Sequence, residues 1–551
     1  MNPTPLDKFS HWEKETPNAV FLRQPIGGTY REYSYAEAGT EIRAIAKSIQ
    51  ALKLPPRSNI AILSKNCAHW IMADLAIWAA GHISVPLYPN LTAPSVKQIL
   101  EHSESKAIFV GKLDEYENQR SGIPDSVQKI SFPLYGIDEG LRWDDLLQAN
   151  TNALPTPAAW KDDEIVTIMY TSGTTGIPKG VMFTFPQMMW TAETAAKSLQ
   201  SHFNFPWHPK LFSYLPLCHI AERMITEFTG ITMGAKISFA ESLDTFARDL
   251  SATQPHLFFG VPRIYSRFQE KILEKLPQKR LNAILKIPIL NGLFRKKLKK
   301  TLGMTDAKVI GAGAAPVAPA LIDWFGALGI TVRDIYGMTE TCGFCSFNLK
   351  SIKTGSVGQA WPGVDVKLGG DGEILTRHPG NMAGYFKEPG MTRDIFTDDN
   401  FVKTGDTGTI DPDGFLTITG RIKDIFKTDK GKYVAPAPIE MKLLANADVD
   451  QVCVVGMGIP QPIGLAILSS LGKSKSKEQL TQSLATTLET VNEALESYEK
   501  LQAIVIMHTD WSIANGLLTP TLKVKRNEVE KLKVPRYREW YERRERVVWE
   551  S

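Results

Sequence analysis

Cysteine is scarce in this chain, with five in 551 residues (Cys67, Cys218, Cys342, Cys345 and Cys453), odd in number and scattered. A disulfide-stapled secreted domain is therefore not expected, and reduced thiols in a cytosol fit best. Cys342 and Cys345 form one C-x-x-C, but no second pair or histidine cluster accompanies them, so a zinc site is not expected. The chain also lacks a long uninterrupted apolar run. The most apolar stretch, Trp70 to Pro89, is broken by Asp74, Gly81, His82 and Pro86, which reads as a buried helix followed by a strand. The opening MNPTPLDKFSHWEKETPN has no apolar core of signal-peptide length, so no export signal is expected. There is no repeat and no low-complexity tract. Hydrophobic residues make up 43% and charged residues 22%, the balance of an ordinary globular protein. The length calls for two to four domains.

Charge is unevenly spread. Lys271 to Lys300 holds ten Lys and Arg against one acid, Glu274, and this +9 leaves −5 for the rest of a chain of net +4. The same window has an apolar centre, Ile284 to Phe294, followed at once by RKKLKK. Such a segment suits the surface of an anionic membrane, or a pair of helices with a solvated charged face. Nucleic acid is excluded as its target, because no stacking aromatics are interleaved with the basic residues.

What is present is a dense polar loop. Tyr170 to Gly180 reads YTSGTTGIPKG, with four small hydroxyl residues (Thr171, Ser172, Thr174, Thr175), three glycines and Lys179. It follows a strand-like run, Glu164 to Tyr170. Glycine allows backbone N–H groups close to a ligand, hydroxyls add donors, and lysine adds charge, a combination that suits polyphosphate. Gly173, Gly176 and Lys179 do not have the spacing G-x-x-x-x-G-K-[ST], so the loop is not that of a P-loop NTPase.

Apolar runs of strand length alternate with amphipathic stretches through most of the chain. Ser58–Ser64, Ser105–Gly111, Ala235–Ala240, His256–Val261 and Ala307–Gly313 read as buried strands. Helical patterns such as YAEAGTEIRAIAKSIQAL and APSVKQILEHSE lie between them, so the fold class is α/β with largely parallel sheets. From about Gly355 the texture changes to short strands and turns. Asp-Gly pairs at 371–372 and 413–414 mark hairpins of a β-rich subdomain covering about 355–420. A new unit begins after Arg421, with the pattern of a small α+β domain. This places an N-terminal domain at 1–420, a hinge at 421–424 and a C-terminal domain at 425–551.

Four further segments give the loop its meaning. YGMTE (Tyr336 to Glu340) supplies an aromatic face, a hydroxyl and a carboxylate of the kind that suits Mg²⁺ on phosphate. GAGAAP (Gly311 to Pro316) is a turn of small residues where a flat ring can approach backbone. Thr404-Gly405-Asp406 sets a carboxylate at a tight turn, and Gly516 to Arg526 is turn-rich and carries Lys523.

In this order the segments resemble the adenylate-forming superfamily, which includes acyl-CoA synthetases, luciferases and peptide-synthetase adenylation domains. The resemblance runs from about Tyr30 to Arg526. YLPLCHIAER, GVPRIYSRF, GKYVAPAPIE and GLLTPTLKVKR look most like long-chain fatty acid–CoA ligases. It implies that a fatty carboxylate attacks the α-phosphorus of Mg·ATP, and that coenzyme A then takes the acyl group from acyl-AMP. By motif position, Thr171, Ser172, Gly173, Thr174, Thr175, Gly176 and Lys179 would hold the β- and γ-phosphates. Gly313, Ala314 and Ala315 would border the base, Tyr336 would stack on it with Gly337 at the same nucleotide site, and Asp334 would meet its amino group. Thr339 would contact phosphate, Glu340 with Thr175 would hold Mg²⁺, and Asp406 and Arg421 would bind ribose. Lys523 would bridge carboxylate and α-phosphate, with Lys423 as the hinge residue and the loop at Gly431 lining the pantetheine channel. His219 would border the acyl pocket, or it is a hydrogen-bonded histidine ending a strand. Glu222 and Arg223 read as a helix-surface or interdomain pair. The fifteen residues YREWYERRERVVWES match nothing in the family pattern. Two other functions stay open: transfer of the acyl group to a carrier protein, or use of a medium-chain or aryl acid. An inactive fatty-acid- or membrane-binding homologue is the reading from another class. Cytoplasmic residence, peripheral to a membrane, is the expected location.

Overall fold

A computed structural model describes residues 2–150, 158–171, 178–519 and 522–550. Two large sheets organise the first 360 residues or so. One has eight strands; its central members Ile83–Leu87, Asn59–Leu63 and Ala107–Val110 run parallel. Asn59–Leu63 is buried along its whole length, as a strand covered on both faces must be. The other has nine strands, with Lys210–Ser213, Leu257–Gly260, Val309–Gly313 and Val332–Tyr336 parallel at its centre. The expected α/β class with parallel sheets is what forms.

Helix Ala68–Ala79 is buried at every position, and strand Ile83–Leu87 follows it. This is the apolar stretch whose Asp74 and Pro86 argued against a membrane span. Among the described residues no helix is long and apolar enough to cross a membrane. The two amphipathic patterns fold as helices Tyr35–Ala51 and Ala93–Ser103. The first begins with a capping box, Ser34 and Glu37 satisfying each other's backbone donors.

The β-rich part is an antiparallel sheet of Asp365–Leu368, Glu373–Arg377, Val402–Ile410 and Leu416–Arg421. Both Asp-Gly pairs fall in its connections, and Asp371, Gly372 and Gly414 take positive φ there. Beyond it, Val449–Val455, Ile463–Leu468, Ile504–Ile506 and Val547–Trp549 form the C-terminal sheet, covered by helix Lys477–Glu493. The tail that matched no pattern is integral to this unit. Val547–Trp549 pairs in parallel with Ile504–Ile506, and Tyr537 and Trp540 are buried.

The basic window folds as three helices, Pro262–Lys275, Gln278–Lys286 and Pro288–Thr301. Leu281 and Leu298 anchor the last two, but Ile287, Ile289, Leu290 and Leu293 are 49%, 78%, 46% and 64% exposed.

Candidate functional site

Strands Ile165–Thr171 and Lys179–Thr184 pair antiparallel, with Thr171 opposite Lys179. This pairing brings together the two ends of the Gly/Thr loop. Ser172, Gly173, Thr174, Thr175 and Gly176 lie outside the described residues. The Lys179 ammonium stands 5.3 Å from the centre of the Tyr385 ring. Its pKa is lowered, first by partial burial and then by the nearby Lys423 cation.

Strand Val332–Tyr336 delivers two buried groups to its carboxyl end, Asp334 and Tyr336. Burial pushes Asp334 up to about 8, so it is largely a neutral acid at pH 7. The Tyr336 hydroxyl donates to Oδ2 of Asp406 at 2.7 Å. Asp406 sits directly across the sheet from Arg421, whose Nε donates to Oδ1 at 3.0 Å. Thr404-Gly405-Asp406 is not a free turn. It bulges within strand Val402–Ile410, with Gly405 at φ +73° and the Asp406 amide donating to Thr404 Oγ1 at 3.1 Å. Past Tyr336, Gly337 must be glycine, because a Cβ would lie 2.3 Å from the Gly343 backbone. The short turn Thr339–Thr341 then buries Glu340, whose Oε1 accepts from the Tyr385 hydroxyl at 2.7 Å. Tyr385 belongs to a two-residue strand paired on Lys179–Thr184. The motif order did not point to it, since no local pattern links it to Glu340.

Lys523 enters from the C-terminal unit. Its backbone is closed on Thr519, by Lys523 N to Thr519 Oγ1 at 3.0 Å and Thr519 N to Lys523 O at 2.8 Å. The side chain is reached by water within the cleft yet surrounded by protein. That enclosure, with Arg421 second, pushes its pKa down to about 8, against the opposing pull of Asp406 and Glu340. His219 both borders the cavity and caps the turn Ile220–Glu222, its Nδ1 accepting from Ala221 N at 3.2 Å. Burial, then the Lys523 cation, drive it down to about 3, so it is neutral at pH 7.

One cavity of about 1710 Å³ joins these groups. It exceeds the roughly 300–1,000 Å³ of a single-ligand site, so it has room for more than one substrate. Thr171, Lys179, His219, Ala314, Ala315, Asp334, Tyr336, Gly337, Thr339, Glu340, Asp406, Arg421, Lys423 and Lys523 all line it. An apolar arm continues between helix Phe185–Phe203 (Thr191, Ala195, Leu199), residues Met224 and Ile225, and strands bearing Leu257, Phe259 and Val309. Thr191 to Leu199 spans two turns of that helix, about 12 Å.

Two expected site residues are not among the cavity's lining. Gly313 lies in a buried strand where a Cβ would meet Ile335 O at 2.6 Å, so it serves sheet packing. Gly431 is at φ +78° in the exposed turn between Phe426–Lys427 and Tyr433–Val434. Glu222 and Arg223 do not form the expected helix-surface or interdomain pair: both are buried inside the N-terminal unit. Cys342 and Cys345 are buried thiols, each pushed up to about 12 by that burial.

The family described as AMP-binding enzyme matches residues 9–386, and the AMP-binding enzyme C-terminal domain matches residues 423–544. A long-chain-fatty-acid–CoA ligase of Mycobacterium bovis is 28% identical, covering 95% of this chain and 94% of that protein. The peroxisomal long chain acyl-CoA synthetase 7 of Arabidopsis thaliana is 30% identical, over 95% of this chain and 84% of its own length. The A domain of a carboxylic acid reductase from Segniliparus rugosus, solved with AMP and a co-purified carboxylic acid, superposes with a TM-score of 0.78. It is 21% identical and the match covers 98% of this chain and 94% of that one, a likeness of fold.

Proposed function

The chain belongs to the AMP-binding enzyme family, and from that premise we propose that it is a long-chain fatty acid–CoA ligase. A carboxylate oxygen of the fatty acid attacks the α-phosphorus of ATP and pyrophosphate leaves. The thiol of coenzyme A then attacks the acyl carbon, AMP leaves, and the thioester remains. The observation that carries this reading is that one cavity joins the polar constellation around Tyr336, Glu340, Asp406 and Arg421 to an apolar arm.

In this proposal Tyr336 and Asp334 take the adenine, and Asp406 with Arg421 takes the ribose. Asp334 is held largely as the neutral acid, whose carbonyl oxygen still accepts from an exocyclic amine. Lys179 and the loop at 171–176 hold the departing phosphates. Lys523 lies between carboxylate and α-phosphate, where two anions must approach. Its cation lowers that barrier by position and charge, without a covalent step. Lys423 is the hinge for the second half-reaction, in which the turn at Gly431 reaches the pantetheine channel. His219, neutral and capped, walls the acyl arm.

Mg²⁺ fits the donor set. Glu340 offers one hard carboxylate steadied by Tyr385 and would hold the ion, which needs only one or two carboxylates from a protein. Thr175 is the proposed second protein ligand. When bound, the ion neutralises phosphate charge.

The proposal includes a peripheral seat on anionic membrane. Ile289, Leu290 and Leu293 protrude from a window of net +9, the combination that buries aliphatic groups at the headgroup boundary while cations meet lipid phosphates. The helix that leads into this window begins at the cavity's rim, where Pro262, Arg263 and Ser266 line it.

The deciding experiment is ATP- and CoA-dependent thioester formation from palmitate or oleate. An enzyme that binds ATP but makes no thioester with any carboxylate would sink the proposal. Thioester on a carrier protein and none on free coenzyme A would replace it with the carrier reading.

A further inference from the structure

The wall of the acyl arm beyond His219 is not regular helix. Arg223–Phe228 form a π-helical turn between the helical turns Ile220–Glu222 and Thr229–Met233. Such turns are rare and occur mostly where a function needs the irregular backbone. Its two sides do different work. Met224 and Ile225 line the cavity. Arg223 and Glu227 are wholly buried, away from any solvent.

Arg223 reaches three elements at once. Its Nε donates to Glu227 Oε2 at 3.2 Å within the π turn, and its Nη1 donates to Thr167 Oγ1 at 2.7 Å. Its Nη2 pairs with Asp74 of helix Ala68–Ala79. Thr167 stands on the strand that runs into the phosphate loop, and its hydroxyl in turn donates to Ser84 O at 2.9 Å. Trp70, Trp78 and Phe228 close the box, their ring centres 5.4–5.9 Å from the guanidinium carbon. Two carboxyl groups thus face one cation in an apolar enclosure. Burial, and then the Asp74 charge, push the Glu227 carboxyl well above the usual range.

An ion pair this deep adds little stability over a well-packed apolar group, so what it specifies matters more than what it stabilises. We propose that Arg223 is a positioning residue. By tying Asp74, Thr167 and Glu227 together it holds the π turn in place, and so sets how far Met224 and Ile225 narrow the acyl arm relative to the phosphate strand. It touches neither nucleotide nor acid. The inference rests on the fatty-acid reading of that arm.

The test uses two variants of the full chain and a series of acids from octanoate to oleate. The double variant Asp74→Asn with Arg223→Met removes the cation together with the carboxylate that pairs with its Nη2. Thr167→Val removes one anchor of Arg223 with almost no change in shape. Expected for each folded variant is a KM for ATP near that of the wild type. The ratio of kcat/KM for palmitate over octanoate should shift by about tenfold, the low end of what one displaced apolar contact is worth in a pocket. A merely structural role would lower the unfolding temperature and leave that ratio alone. If the double variant does not fold, Thr167→Val decides. A folded Thr167→Val protein with the wild-type ratio overturns the proposal. A wild-type protein that activates no fatty acid overturns the substrate reading instead.

Discussion

The phenol of Tyr336 donates to Asp406 at 2.7 Å, joining the end of the nine-stranded sheet to the antiparallel β sheet beside it. Arg421 occupies the other oxygen of the same carboxylate at 3.0 Å. Ring, carboxylate and guanidinium therefore form one preorganised unit. A hydrogen bond to a charged group is worth ~1.5–3 kcal/mol. Tyr336→Phe keeps the ring but loosens the carboxylate, and the KM for ATP should rise roughly tenfold or more, with kcat changing less. Steady-state kinetics at saturating acid and coenzyme A measure both.

In the proposed reaction Lys523 of the C-terminal unit stands between the reactants. Lys523→Ala should slow adenylation about 10²–10³-fold, the usual loss of a preorganised electrostatic partner. Pyrophosphate exchange reads this directly. Thioester formation started from synthetic acyl-AMP should persist, since that half-reaction does not use the contact.

The same lysine should set an alkaline limit. In the proposed reaction its cation is the working form, and its pKa is pushed down to about 8 from an ordinary 10.5. The protonated enzyme dominates below that value, so kcat/KM for adenylation should be full at lower pH and fall as pH rises through about 8. Lys523→Arg, which keeps its charge far higher, should show a lower plateau without that fall. An unchanged alkaline limb in the arginine variant would assign the fall to another group.

Gly313 sits where two strands pack closely, next to Ala314 and Ala315 of the cavity's lining. In Gly313→Ala the new methyl would press on Ile335 O, 2.6 Å from an ideal Cβ. Overpacking of this kind costs about 1–3 kcal/mol. Thermal unfolding should drop by several degrees while the KM for ATP stays close to wild type.

Ile289→Glu with Leu293→Glu should abolish co-flotation with vesicles rich in anionic lipid and leave turnover of soluble octanoate intact. Wild-type flotation should weaken as salt rises, because the cationic part of the attraction is screened. A wild-type protein that never co-floats removes the membrane seat.

Some of the site was legible because its parts are neighbours along the chain. Thr171 and Lys179 flank one hairpin, and Asp406 and Arg421 face each other across the hairpin whose turn is Asp413-Gly414. Tyr385 escaped notice because its strand has two residues, and it reaches Glu340 only by pairing with Val181. Val547–Trp549 is likewise too short to show a period, and it becomes a strand because Ile504–Ile506 offers an open edge. The Asp74–Arg223 contact joins residues 149 apart. In sequence Arg223 looks like a surface charge, since nothing local says that three aromatic rings will enclose it.

By itself the sequence determined the α/β class, the hairpin that closes between Thr171 and Lys179, and the order of the segments by which the family is recognised. Those properties follow from period, turn chemistry and side-chain type, all of which act over a few residues. The tertiary structure alone decided that Lys523 shares a cavity with Tyr336 and Glu340, and that Gly313 packs strands while Gly431 stays outside. It also decided that Arg223 is sealed between a helix, a strand and a π turn. Such outcomes depend on which distant surfaces exclude water together, and burial is a property of the assembled layers rather than of any segment.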